Sequence, residues 1–217
     1  MDRWHALSRG YALWDAWDHR GALELLRPFK KHTGSLLSVL VLLAADSGVS
    51  AGSGPSDPRR LRRADAQRVA DIYASAERRA RRCEYDAAVL RVYRALEWVA
   101  QWTLRWDNKI DAGNVPADST IARHAQIGEN GKLVVGCKAA WLAVADLPGP
   151  LRDLARGLGN LMRDLALRRN ESVLAHGERA LGQADFEACW ATFRAHVWPA
   201  FLSVSSVEDI QLPRVLP

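Results

Sequence analysis

Arg169 and His176 stand seven residues apart in the stretch Arg169-Asn170-Glu171-Ser172-Val173-Leu174-Ala175-His176-Gly177. Arginine keeps its charge at any physiological pH, and its planar fork matches phosphate oxygens. Histidine titrates near neutrality and moves protons. The pair suits phosphodiester chemistry, in which a cation steadies the phosphoryl oxygens while an imidazole transfers a proton. A helix through the segment turns almost twice between them and puts both on one face. Arg168 then points away, which makes Arg169 the partner of His176. Asn170 and Ser172 add polar groups able to contact phosphate or orient the ring. The same spacing also arises by chance at a solvated helix end.

The wording around the pair separates these readings. Arg-Asn, several positions and then Leu-Ala-His-Gly resembles the signature of the HEPN ribonucleases, an all-helical superfamily. Six residues lie between Arg169 and His176, the long end of that pattern. Val92-Tyr93-Arg94-Ala95-Leu96-Glu97-Trp98-Val99-Ala100-Gln101 resembles a helix of the CRISPR-associated CARF–HEPN proteins. Trp14-Asp15-Ala16-Trp17-Asp18-His19 is similar to an element N-terminal to their HEPN domain. The resemblance implies an all-α, HEPN-like helical bundle that pairs as a two-fold homodimer, with two copies of the motif facing one another in a composite cleft. It implies a metal-independent endoribonuclease needing no cofactor, which leaves 2′,3′-cyclic phosphate and 5′-hydroxyl ends on single-stranded RNA. It also suggests that Arg94 and Glu97 lie near the dimer or active-site face.

Composition fits a globular chain. Of 217 residues 48% are apolar and 25% charged, enough for one sizeable core. Net charge is +5, the pI is about 9.4, and arginine outnumbers lysine 25 to 5. That balance favours a polyanionic partner. Cys83, Cys137 and Cys189 are odd in number and form no Cys-x-x-Cys pair, against a disulfide framework or zinc site. No apolar leader opens the chain, and the longest apolar run, 36–45, is about half a membrane span. A cytoplasmic protein is expected.

Apolar spacing gives the elements that must position the pair. Trp4, Leu7, Tyr11 and Trp14 step as a first helix, and Ala22, Leu23, Leu26 and Phe29 as a second. An apolar helix covers 35–45. Residues 46–58 are rich in Gly, Ser and Pro and read as a flexible linker or loop. The expected organisation is therefore 1–45 as a helical segment packing on the bundle, 46–58 as linker, and 59–217 as the HEPN-like domain. Helices follow over 58–83 and 85–106, then a polar loop over 107–118. The stretch 119–147 reads as helical, although 132–136 has strand character; no sheet is expected. After Pro148-Gly149-Pro150, Leu151, Leu154, Leu158, Leu161, Met162 and Leu165 lead straight to Arg169. A last helix, 186–201, aligns Phe186, Cys189, Trp190, Phe193 and Val197. Nine tryptophans, mostly at helical steps, read as core rather than as base-stacking platforms.

Two further clusters have chemical potential. The helix over 58–83 is dense in arginine, and Arg78, Arg79 and Arg82, with Arg168, either track an RNA backbone or form a solvated face. Asp15, Asp18 and His19 have ligand-compatible spacing but no fourth partner, so no metal site is assigned. Residues 1–45 lack the βαβ alternation of the cyclic-oligoadenylate sensor that precedes HEPN in the resembled proteins. Control then comes from a sensor supplied elsewhere or a separate regulatory chain, whether this chain is stand-alone or part of a longer protein. The competing readings are a non-catalytic RNA- or nucleotide-binding dimerisation module and the toxin of a toxin–antitoxin pair.

Overall fold

The computed structural model describes residues 3–44, 57–174, 177–207 and 212. The chain divides into two compact units, Met1–Ala74 with Val207–Pro217, and Ser75–Ser206. The division falls inside a helix, after Ala74, whereas most of the expected 46–58 linker lies outside the described residues.

The first unit is built on α1 (Arg3–Asp15), α2 (His19–Leu26), the single turn α3 (Lys30–Thr33), α4 (Leu36–Ala44) and the first part of α5 (Pro58–Arg81). Leu7, Tyr11 and Trp14 form the buried stripe of α1 as expected, but Trp4 is 38% exposed, with the Arg3 guanidinium over its ring. Gly10 lets α2 approach, since a Cβ there would come within 2.6 Å of the Leu26 side chain. Asp18 and His19 have structural roles: Asp18 caps α2 by accepting from the Gly21 amide at 2.9 Å. His19 Nε2 lies 2.9 Å from Oδ2 of Asp71, whose Oδ1 accepts from the Trp14 indole N–H at 3.2 Å. Asp71 is fully buried, so these partners replace the water it gives up.

The second unit is organised by α6 (Tyr85–Trp106), joined to α5 by a tight turn. There Glu84 N–H donates to Arg79 O and Cys83 N–H to Ala80 O, with Cys83 in the left-handed region at φ 61°. Ala88, Val92, Ala95, Leu96, Val99 and Trp102 give α6 a broad buried face. Around it pack α7 (Cys137–Asp146), α9 (Gly159–Glu171) and α10 (Gln183–Thr192), with α8 (Arg152–Gly157) against α7. The Trp141 indole donates to the Leu96 carbonyl at 3.0 Å. The last helical stretch runs from α10 through a π turn, Phe193–Val197, into α11 (Trp198–Val204). Steps of four drift about 40° per step on an α-helix. The wide turn absorbs the drift and keeps Phe193, Val197 and Phe201 all buried.

Two expectations need correction. The stretch 119–147 is helical only over Ala122–His124, a 3₁₀ turn, and α7. Between them β1 (Gln126–Ile127) pairs antiparallel with β2 (Leu133–Val134), so a small hairpin exists where no sheet was expected. Asn130-Gly131 makes it, with Gly131 at φ 74° and the Asn130 side chain accepting from the Lys132 amide. The helix expected to lead straight to Arg169 is two helices, α8 and α9, meeting at Leu158. No helix among the described residues is long and apolar enough to cross a membrane.

The Asp71 cluster gives a stability prediction. Asp71→Ala leaves the Trp14 indole and the His19 ring without their buried acceptor. Urea unfolding is expected to show a loss of about 2–4 kcal/mol, with a smaller loss for Asp71→Asn.

Candidate active site

Arg169 lies in the last turn of α9, which ends at Glu171. The single helix expected to run on to His176 does not form, so a shared helical face does not bring Arg169 and His176 together. Ser172 breaks the helix. Its backbone is extended (φ −66°, ψ 133°), its N–H donates to the carbonyls of Arg168 and Arg169, and its hydroxyl oxygen accepts from the Leu174 amide at 3.2 Å. That side-chain turn offers the backbone an alternative to another helical residue. Ala175 and His176 lie outside the described residues.

The chain then folds back on the helix end. Gly177 N–H donates to Ser172 O at 2.9 Å, and Arg179 N–H to Glu171 O at 3.1 Å. Gly177 passes so close to Glu171 that any Cβ would overlap its backbone carbonyl, which restricts the position to glycine. Asp86, in the first turn of α6, holds both sides of this segment. Its Oδ1 accepts from the Ser172 hydroxyl at 2.7 Å, and its Oδ2 from the Leu181 amide at 3.1 Å. Ser172 is completely buried and its hydroxyl is spent on Asp86, so its place is in holding the segment.

A second acid, Asp185 in the first turn of α10, gathers two arginines. It accepts from both Arg168 and Arg179, and Arg179 also reaches Glu171 at 2.8 Å. Burial works to raise the Asp185 carboxyl, but the Gly182 amide and the two guanidinium groups outweigh it and hold it below the usual carboxylate range. Arg168, expected on RNA, is therefore engaged inside the unit. Of the other expected RNA contacts, Arg79 pairs with Glu84 at 2.6 Å and is half-buried like Arg78, while Arg82 is exposed.

Arg169 differs from these. Among the described residues it makes no ion pair; its guanidinium carbon lies 5.1 Å from the centroid of the Tyr93 ring, and Nη1 reaches the exposed Asn170 at 3.3 Å. Beside Tyr93, Arg94 pairs with Glu97 at 2.6 Å. Burial first, then Cys137 and Glu97, push the Tyr93 hydroxyl up to about 12 against the pull of Arg169. Burial and Glu97 likewise push the Cys137 thiol up to about 12. Both stay protonated near neutrality, so neither is a base or a nucleophile there. The site presents a half-buried cation and an amide at a helix end, a combination able to grip a phosphate. Among the described residues no group of three His, Cys, Asp or Glu could hold a metal ion.

Sequence reasoning assigned no role to Asp86, Tyr93, Arg179 or Asp185. First-turn acids on two helices were the available signal for Asp86 and Asp185. Asp86→Ala is expected to lower unfolding free energy by about 1.5–3 kcal/mol, because the Ser172 hydroxyl and Leu181 amide lose their acceptor. Hydrogen exchange should localise the loosening to the segment after α9.

The family model described as the Csm6 HEPN domain matches residues 60–195. No curated protein and no solved structure matches the chain. The matched region spans well over half of the 217 residues and holds α6, α9, the Asp86 and Asp185 anchors and the whole Arg169–His176 segment. On that match the chain belongs to the family of Csm6 HEPN domains, found in CRISPR-associated proteins.

Proposed function

We propose that this chain is a metal-independent endoribonuclease, cutting single-stranded RNA to 2′,3′-cyclic phosphate and 5′-hydroxyl ends in CRISPR-linked antiviral defence. One observation carries the reading beyond family membership. Arg169 sits at the end of α9 with no carboxylate partner among the described residues, whereas Arg168 beside it is held by Asp185. An arginine with no ion pair among the described residues meets phosphate without first giving up a carboxylate there.

In the proposed reaction Arg169 stabilises charge on the phosphoryl oxygens, with the exposed Asn170 amide beside it. His176 transfers a proton to or from the attacking 2′-hydroxyl or the leaving 5′-oxygen. Ser172 contributes by holding the segment through Asp86. One arginine and one histidine are few groups for this work, so the proposal includes a two-fold homodimer that brings two motifs together. Leu167, Val173 and Leu174, 58%, 56% and 62% exposed beside the motif, are apolar side chains that such pairing would cover. Arg82, which is exposed, and Arg78 would add backbone contacts, and Arg79 and Arg168 would contribute by exchanging their carboxylate partners. A cyclic-oligoadenylate sensor or another regulatory chain would control the activity of this cytoplasmic nuclease. The internal engagement of Arg168 and Ser172 also fits a non-catalytic RNA- or nucleotide-binding dimer. A toxin would use the same chemistry under different control.

Cleavage of end-labelled single-stranded RNA in excess chelator tests the proposal, comparing wild type with Arg169→Ala and His176→Ala. Wild type should cut and leave cyclic phosphate ends, while each variant loses at least roughly 100-fold in rate. Variants that cut like wild type would place the activity elsewhere. A folded, dimeric protein that binds RNA without cutting it would favour the non-catalytic reading.

A further inference from the structure

We infer that Tyr93 is a positioning residue for Arg169, its ring face holding the guanidinium at the end of α9 in the attitude that meets an RNA phosphate. The inference rests on the ribonuclease reading for its functional consequence and on geometry for its physical content. An arginine in the last turn of a helix has a long side chain with many rotamers, and ordering it for each encounter with substrate is costly. The Tyr93 ring, 5.1 Å from the guanidinium carbon, restricts those rotamers. A carboxylate would restrict them too, as Glu97 does for Arg94 and Asp185 for Arg168, but it would also occupy the N–H donors. An aromatic face holds the guanidinium without a carboxylate that phosphate oxygens would have to displace, and the hydrogen bond from Nη1 goes to the neutral Asn170 amide.

The ring is well placed to be rigid. Tyr93 is half-buried in mid-α6, seven residues after Asp86 and so on the same helical face. That face meets both ends of the problem: Asp86 fixes the segment following α9 and Tyr93 fixes the last arginine before it. Its hydroxyl, pushed up to about 12, stays neutral, so the ring never becomes a counter-ion to Arg169 in the working pH range.

Two readouts test this on the full chain. In ¹⁵N-arginine-labelled protein, the Nε–H resonance of Arg169, identified by its absence in Arg169→Lys, should be shifted by the ring current and motionally restricted. Tyr93→Leu and the unbranched, similar-sized Tyr93→Met should abolish both effects, and Tyr93→Phe should keep them. In single-turnover cleavage, Tyr93→Leu should lose about 10- to 100-fold in rate while KM for RNA changes less than about three-fold. Tyr93→Phe should stay within about three-fold of wild type. An unshifted, mobile Arg169 resonance in wild type would overturn the inference. So would a Tyr93→Leu protein that keeps its rate while Arg169→Ala has lost it, and the ribonuclease reading would then stand. If Arg169→Ala cuts like wild type, the assignment of Arg169 to the cleavage site falls instead, and the resonance still decides whether Tyr93 orders Arg169.

Discussion

The buried face of α6 is the constraint on which the second unit depends. A helix with Val89, Val92, Leu96, Val99 and Leu104 all fully buried cannot stand alone in water and must be covered along its length. Helices α7, α9 and α10 provide that cover, and the price of their packing is a set of helix ends that need polar partners. Asp86 meets that need where α9 stops. One carboxylate satisfies a buried hydroxyl and a loop amide that are nine residues apart, so the end of α9 and the start of α10 are fixed with respect to α6. The candidate site is an outcome of this closure.

Charge in the second unit is arranged more by pairing than by accumulation. A net charge of +5 suggests a basic surface open to nucleic acid. In the folded unit, however, Arg79, Arg94, Arg123, Arg168 and Arg179 each hold a carboxylate. Exposed pairs of this kind contribute little to stability, typically under about 1 kcal/mol. Their effect is geometric: Asp185 joins α9, α10 and the strand-like Arg179 segment, and Asp146 joins α7 to Arg123 and His124. Arg123 and then His124 hold the Asp146 carboxyl down to about 2, so this join persists across the physiological range and is lost only as pH falls toward that value.

Much of this was legible in the sequence where apolar spacing alone decides structure. Helices α5 and α6 begin at the expected positions, and Phe186, Cys189, Phe193 and Val197 line one buried row. Spacing failed where a single side chain overrides it. Ser172 ends α9 because its hydroxyl finds Asp86, which is 86 residues away in sequence and invisible to any local window. Asn130-Gly131 turns a stretch read as helix into a hairpin, a signal that was present and outweighed by the apolar residues around it. At the candidate site, residue type and setting single out Arg169 as a candidate. The residues that hold it and its loop were not legible, because Tyr93, Asp86 and Asp185 are ordinary helix residues until α9 and α10 are brought against them.

The contrast between adjacent arginines explains why such a site needs an aromatic partner. Arg168 and Arg169 share a helix turn, a charge and a half-buried setting, yet among the described residues only Arg168 lies against a carboxylate. An ion pair fixes a guanidinium by using its N–H donors, and a phosphate arriving at Arg168 must compete with Asp185 for them. A ring face attracts the guanidinium without an opposite charge that an arriving phosphate would have to displace. The same residue type therefore serves as a strut at one position and remains an available anion grip at the next. The difference between them lies in what α6 and α10 present to each.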